Sequence, residues 1–452
     1  MKKIILPLII FGSLTACGGG SESSQNIADN NDTAVPPTSS SSVEYRVIDG
    51  YIEKADVCVI KENQSSCESI GETNSNGVIL IPDDVAKGRL VATIIGGQSK
   101  DSDIVGYVAH SYQMIADISV DTPNVITPFT TLDVLDDEKS LDDIAADLNL
   151  PIDVINSDYI ASKAAENSHV HTLARAMTKH LKGDVNANDI ESLYAATHSI
   201  NAYIEGSVIN AGIDPKTINV LTDNGQLSHT LKISSLDNFL EQGTLSMVSM
   251  NTPYFYREGI REVIFSKGVA TLDSSTSNYE INEDNLILTV NGDKSTDKFL
   301  YVSSSLSLSV PLADKDLIIM SSSNLGNGHA VRYAEEVTWE RSTFEEQTRF
   351  LIFDDATISD QEPRLSFVKL EFSAETVTLH ENGEVMTIPW AVDSFAGVLE
   401  LDMSETNDGV IRLTEMLSDE HITIAKGAGA PSLVLKDEAL ATSIYEKWKT
   451  LN

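Results

Sequence analysis

The sequence predicts a multidomain, mainly β protein: a small β-sandwich, a central α-helical module, and a C-terminal antiparallel β-barrel or sandwich. Three observations predict it. From Val43 to about residue 120, short β-rich runs alternate with clusters of turn residues. From there to about residue 242 the apolar period becomes that of helices. From Gly243 to the terminus, short strands return at close intervals, and a helical stretch follows them.

The first residues come before any of these elements. Lys2 and Lys3 form a positive start, and Ile4 to Phe11 an apolar run too short for the roughly 20 residues that span a bilayer. Leu14-Thr15-Ala16-Cys17 then closes the segment with small residues before a cysteine. This resembles the lipobox of bacterial lipoproteins. The resemblance implies that residues 1–16 are a signal peptide and that Cys17 is lipidated, with diacylglycerol on its thiol and a fatty acyl chain such as palmitate on the new N-terminus. Several acyl chains give stable membrane anchoring where one would be marginal. Gly18 stands where an aspartate would favour the inner membrane, so the resemblance implies an outer-membrane lipoprotein facing the periplasm or the cell surface. Residues 17–42 are Gly, Ser, Asn, Asp and Pro with little to bury, and are expected to form a tether averaging roughly 25–30 Å.

The charge excludes one class of function. A formal net charge of −37 repels phosphates, so neither a nucleic-acid partner nor direct adhesion to an anionic lipid surface is expected. Such acidity suits a solvated exported protein, or one that attracts cations or a basic partner.

In the region 43–120 the runs are Val47–Ile52, Ala55–Ile60, Gly77–Ile81 and Leu90–Ile95. Cys58 and Cys67 flank the turn Asn63-Gln64-Ser65-Ser66, and in an exported segment a disulfide clamping that hairpin is expected. No histidine stands at zinc-like spacing from either cysteine. The pattern Val47-Ile48-Asp49-Gly50-Tyr51-Ile52, with Ala55-Asp56-Val57-Cys58 and Asn76-Gly77, resembles the carboxypeptidase-regulatory or transthyretin-like modules of gammaproteobacterial envelope lipoproteins. In that family the cysteine hairpin can carry a calcium loop, but Lys61–Ser66 lacks alternating carboxylates. Val125-Ile126-Thr127-Pro128-Phe129-Thr130-Thr131-Leu132 resembles the Thr-Pro-x-Thr-Thr-Leu segment that leads into a helical domain in the same proteins. The two resemblances together cover about residues 43–200.

The helical module, 121–242, shows Leu141, Ile144, Ala145 and Leu148 at helical spacing behind the capping pair Ser140 and Asp143. Val170 to Leu181 and Ile190 to Ile200 mark two further helices. The β domain, 243–452, runs from Val263-Ile264-Phe265 to Val398–Leu401, with a strand also expected at Glu336–Trp339. A weak internal echo pairs Tyr279–Val290 with Pro389–Leu401, each two strands about a turn, a pattern reminiscent of lipocalin-like barrels. A terminal helix over Ala439–Leu451 is expected to pack through Ile444, Tyr445 and Trp448.

No catalytic residue, metal site or cofactor is expected. His169 and His171 lie two apart, which on a helix turns them to different faces, and His180 does not complete a set. Ser295-Thr296-Asp297-Lys298 matches a Ser-x-x-Lys motif by letter, but reads as a charged turn between strands. Asp136-Asp137, Asp142-Asp143 and Asp354-Asp355 lack the spacing and glycine of a calcium loop and read as solvated faces. Trp339, Trp390 and Phe395 could line a ligand platform, against the reading that strand aromatics are core. The expected function is a membrane-anchored, non-enzymatic module binding a ligand or partner protein. The alternatives are a hydrolase of polysaccharide or peptide with a dispersed acidic site, and a structural or assembly factor of an envelope complex.

Overall fold

A computed structural model describes residues 42–451, apart from 63, 83–84, 86–87, 119–123, 162–163, 224, 250–259, 273–274, 314, 324–338, 357–362, 394–396, 405–408 and 428–430. Cys17, the signal segment, the tether before Ser42 and Phe395 therefore lie outside the described residues. So do Glu336 to Thr338 of the expected strand, and Trp339 beside them is not in a strand.

The first module is built from β1 (Ser42–Val47), β2 (Ile52–Glu53), β3 (Asp56–Lys61), β4 (Cys67–Glu72), β5 (Val78–Pro82), β6 (Gly88–Ile94), β7 (Lys100–Asp101), β8 (Tyr112–Ile118) and β9 (Val125–Ile126). They form a four-stranded sheet in the order β4-β3-β6-β8, a three-stranded sheet β5-β1-β9, and the pair β2-β7. Alternation decides what each face does. Val57, Val59, Leu90 and Ala92 of the larger sheet share a core with Tyr45, Val47, Ile79 and Ile81 of the smaller one. The larger sheet's other face, Val91 and Ile115, packs on Val134 of helix α1 (Pro128–Leu135). Cys58 and Cys67 are bridged, with an S–S distance of 2.07 Å, across the β3–β4 hairpin.

The Thr-Pro segment sews α1 to that sheet. Thr127 caps the helix and Pro128 takes the first helical position, where its missing N–H costs nothing. Thr131 Oγ1 accepts from Ile115 N at 3.0 Å, and Thr130 Oγ1 donates to Ile115 O at 2.9 Å. All three threonines are buried, so the signature that carries the resemblance is an architectural stitch.

Helices α2 (Leu141–Asp147), α3 (Ile152–Ile155), α4 (Ala165–Thr178) and α5 (Ile190–Tyr203) follow, and then a hairpin of β10 (Ile218–Asp223) and β11 (Gln226–Leu231) that helical periodicity did not announce. Their apolar faces, Ile144, Leu148, Leu173, Met177, Leu193 and Ile200 among them, continue the core of the first module.

The β region resolves into two barrels. After helix α6 (Leu236–Leu240) come β12 (Thr244–Ser249), β13 (Ile260–Ser266), β14 (Val269–Leu272), β15 (Ser275–Asn282), β16 (Asn285–Val290), β17 (Asp293–Val302), β18 (Leu306–Pro311) and β19 (Ile318–Ser321), closed in that order. The second barrel comprises β20 (Thr348–Asp354), β21 (Leu365–Phe372), β22 (Thr376–Glu381), β23 (Glu384–Asp393), β24 (Val398–Met403), β25 (Gly409–Ser418), β26 (Ile422–Lys426) and β27 (Pro431–Leu435), also closed. Closure removes the sheet edges that would otherwise recruit other chains. Tight hairpins set the register. Asn291-Gly292 and Asn382-Gly383 both sit at positive φ, as a two-residue turn matched to strand twist requires.

The barrels repeat one design. The echo between Tyr279–Val290 and Pro389–Leu401 falls on the fourth and fifth strands of each. A bulge interrupts the pairing of sixth and seventh strands at Phe299/Tyr301 in one and at Glu415/Leu417 in the other. Each barrel turns the outer faces of its first, seventh and eighth strands into a common core. Val248, Leu306, Leu308 and Ile319 meet Phe350, Ile352, Ile422, Ile424 and Leu433 there. The terminal helix, Glu438–Leu451, joins that core through Leu440, Ile444 and Trp448. Tyr445 is only partly buried and lies 5.4 Å, ring to ring, from Phe367.

Candidate functional site

The densest polar cluster lies where the first module meets α4. Asp49 follows β1, Asp101 ends β7, and Asp103 belongs to the turn after it. Gly50 makes the approach possible, because a Cβ there would fall 1.7 Å from Asp101 Oδ1. Asp101 Oδ1 accepts from Asp103 N at 2.8 Å, which aims the Asp103 carboxylate at α4. There Asp103 Oδ2 stands 2.5 Å from His171 Nε2 and 3.3 Å from Arg175 Nη1, while its Oδ1 accepts from Lys232 Nζ at 2.8 Å. Arg175 also donates to Ile218 O at 2.7 Å, tying β10 to the same point. Tyr112 donates its phenol proton to Asp49 Oδ2 at 2.9 Å.

Burial splits the three carboxyls. It works against the charge of Asp103, but His171, Arg175 and Lys232 outweigh it and hold Asp103 well below the usual carboxylate range. Asp101 is pushed well above that range by burial and by the charges of Asp49 and Asp103. Asp49 is raised as well, chiefly by burial and against the Tyr112 hydrogen bond, and its Oδ1 finds no protein partner. The carboxyls of Asp49, Asp101 and Asp103 are all buried, which leaves them out of reach of a substrate in the structure described. The cluster acts as an internal clamp joining sheet, helix and hairpin. Among the described residues no group of three or more His, Cys, Asp or Glu is arranged to hold a metal ion.

The histidines fall inside as well. His169 and His171 are both buried on α4, and His180 lies just past its end. Sequence spacing missed the cluster because its members are far apart in the chain. The one local hint was an arginine four residues after a histidine on an otherwise apolar helix face.

In each barrel, apolar side chains from a neighbouring segment of the chain pack against the strands. In the first, Phe239 and Leu240 of α6 pack on Leu245, Val263, Phe265 and Phe299. In the second, Trp339 and Phe344 do the same, flanking a 3₁₀ turn at Arg341–Thr343. Phe344 meets Trp339 edge-on at 5.1 Å and Phe372 at 5.2 Å, and Phe372 meets Trp390 at 4.9 Å. Trp339 and Trp390 are 4% and 5% exposed, so these two members of the expected platform are plug and lumen residues. Polar groups also meet Trp390: the Arg341 guanidinium lies 4.6 Å from its ring centroid, and its Nε1 donates to Ser373 O at 2.9 Å.

Two other sequence readings change. Ser295 to Lys298 lies within strand β17, so it is neither a turn nor the helix start that a Ser-x-x-Lys nucleophile needs. Asp354 is buried, accepting from Ala356 N and Arg364 N, because it closes a turn beyond β20. Asp143 is the capping partner of Ser140 on α2, as its spacing predicts.

A second polar joint links all the bodies. Tyr301 of the first barrel donates to Asp419 Oδ2 of the second at 2.7 Å, and Lys179 beyond α4 pairs with Glu420 at 2.8 Å. His110 and His421 stack at 5.7 Å with rings 8° from parallel. Burial brings His421 down to about 4, against the pull of Asp419 and Glu420.

No protein-family model matches the chain, and no curated protein is significantly similar to it.

Proposed function

We propose that the protein is a membrane-anchored envelope lipoprotein whose folded body is a non-enzymatic module for binding or presenting a partner protein. The observation that carries this reading is the occupation of both barrels. Small-ligand barrels keep an apolar cavity with a mouth. Here Phe239 and Leu240 in one barrel, and Trp339, Phe344 and Trp390 in the other, are buried in apolar clusters with the strand residues, which supports occupied interiors. Outer surfaces and loops are then the available binding surface. The barrels' mutual packing, with the terminal helix, fixes their positions, which suits a rigid display surface. The lipobox resemblance around Cys17 supplies the anchor.

Two measurements test the reading. Native mass spectrometry of the protein, gently extracted from its own membrane, should find diacylglycerol and acyl mass on Cys17 together with a stoichiometric, protein-sized adduct. Cys17→Ser should move the protein to the soluble fraction. An unlipidated Cys17 would remove the anchoring half of the proposal, and a bare monomer the binding half.

A further inference from the structure

In a chain with 68 acidic residues against 31 lysines and arginines, positive side chains are expected to find carboxylates. One group does not. It lies where the first module, the first barrel and the terminal helix meet. Lys447 of the helix places Nζ 3.5 Å from the centroid of the Tyr107 ring, and Lys100 approaches the same ring at 5.4 Å. Lys54 and Lys298 stand near enough for their charges to act on Lys447. The acid in this neighbourhood is Asp284, 3.8 Å from Lys298. Glu53 faces Lys100 across the β2–β7 ladder, yet among the described residues no salt bridge reaches Lys54, Lys100 or Lys447.

The arrangement is held in place. Gly97, at φ +71°, brings its loop so close to the helix that a Cβ there would lie 2.4 Å from Ser443 Cβ. Ser443 Oγ donates to Gly97 O at 2.6 Å, and Lys447, one turn further on, donates to the same carbonyl at 3.4 Å. Bringing several ammoniums together costs Coulomb energy unless an anion joins them. Burial first, then Lys298, Lys100 and Lys54, brings Lys447 down to about 8, against the opposing pull of Asp284.

We propose that this junction binds a phosphate-bearing anion, with Lys447 and Lys100 contacting it beside Tyr107 and with Lys54 and Lys298 completing the positive field. A multivalent anion suits the site better than a carboxylate, because two compact ammonium charges, Lys447 and Lys100, meet at one ring and neither offers a planar fork. The chain's net charge of −37 repels such anions at long range, so the attraction is confined to this local group of lysines; the source is a free phosphate ester or a lipid headgroup. Bound ligand would stabilise the three-way junction by mass action. Neither the anchor at Cys17 nor the filled barrels depends on these lysines, so this inference can fail without affecting the proposed function.

The test is calorimetric titration of the full Cys17→Ser chain with inorganic pyrophosphate at low ionic strength, with sedimentation on phosphatidylglycerol vesicles as a second arm. Saturable binding is expected in at least one arm. K447Q and K100Q should each weaken it about ten-fold or more, while K294Q, whose lysine pairs with Glu280 on an exposed strand, should leave it unchanged. Binding of pyrophosphate points to a free phosphate ester, and binding of vesicles alone to a lipid headgroup. Binding should weaken as pH rises through 8. A further check needs no variant: pyrophosphate or vesicles should protect Lys447 from acylation by an amine reagent. No binding in either arm, or binding that K447Q and K100Q leave intact, overturns the proposal.

Discussion

Ser303 and Asp419 occupy the same place in the two barrels. Each follows the bulged sixth strand, each donates its N–H to the carbonyl three residues on, Leu306 O or Ile422 O, and each side chain accepts from the N–H of that residue. The two turns share one hydrogen-bond pattern, built with a hydroxyl in one barrel and a carboxylate in the other. Asp419 has the added task of receiving the Tyr301 phenol at 2.7 Å.

This equivalence separates the two tasks. Asp419→Ser should keep the turn, as Ser303 does, and lose only the charged acceptor for Tyr301, costing about 1.5–3 kcal/mol. Asp419→Ala should cost more, because the turn's N–H groups lose their acceptor too. Urea denaturation of both variants checks this, and equal losses would contradict the equivalence.

The buried acids make opposite predictions with pH. Asp101 and Asp49 hold their protons in the fold at pH values where the unfolded chain has lost them. Their stabilisation is therefore full below about pH 4 and is lost as pH rises through the folded values. Asp103, depressed, contributes above that point and is lost only in strong acid. As pH rises above about 4, these two groups should make the native chain less stable, by at most about 1.4 kcal/mol per unit for each proton released. Asp101→Asn keeps the oxygen that accepts from Asp103 N and should flatten that slope. A variant with an unchanged slope would mean that Asp101 does not titrate there.

Asp103→Asn should behave differently, since it leaves the buried Arg175 and the half-buried Lys232 around a neutral amide. A loss of roughly 3–5 kcal/mol is expected. Amide exchange should locate it in α4 and the β10–β11 hairpin, and unchanged protection there would refute the clamp.

The second barrel's plug can be drawn out. Phe344→Ala removes the ring between Trp339, Phe372 and Trp390, and should cost about 3–5 kcal/mol. Tryptophan emission should shift to the red as water reaches the lumen. A stable variant with unshifted emission would mean that the lumen had collapsed around the gap.

Much of the strand pattern was legible because alternation writes one face of each strand into the sequence. The number of barrels was not. Closure depends on β12 finding β19, and β20 finding β27, pairings that leave no local trace. The echo between Tyr279–Val290 and Pro389–Leu401 was the visible remnant of the repeat. Ser140 and Asp143 were readable as a cap because capping is local. The meeting of Asp103 with His171, Arg175 and Lys232 was invisible, since tertiary packing alone brings a loop, a helix and a hairpin end together. Trp339 and Trp390 left two readings open, because an aromatic residue looks the same in a plug and on a platform until its exposure is known.

Trp448 donates from Nε1 to Lys315 O at 2.9 Å, while Asp437, just before the same helix, accepts from Ser111 N at 2.9 Å. The helix that makes these ties comes later in the chain than every element it fastens. The ribosome therefore delivers the parts before the fastening. A nascent chain arrested before Glu438 would hold its bodies loosely joined, with the outer apolar strands of both barrels uncovered on the side the helix protects. Translation order thus leaves that seam open until the helix has been made, and a protease would cut a chain interrupted before Glu438 more readily there.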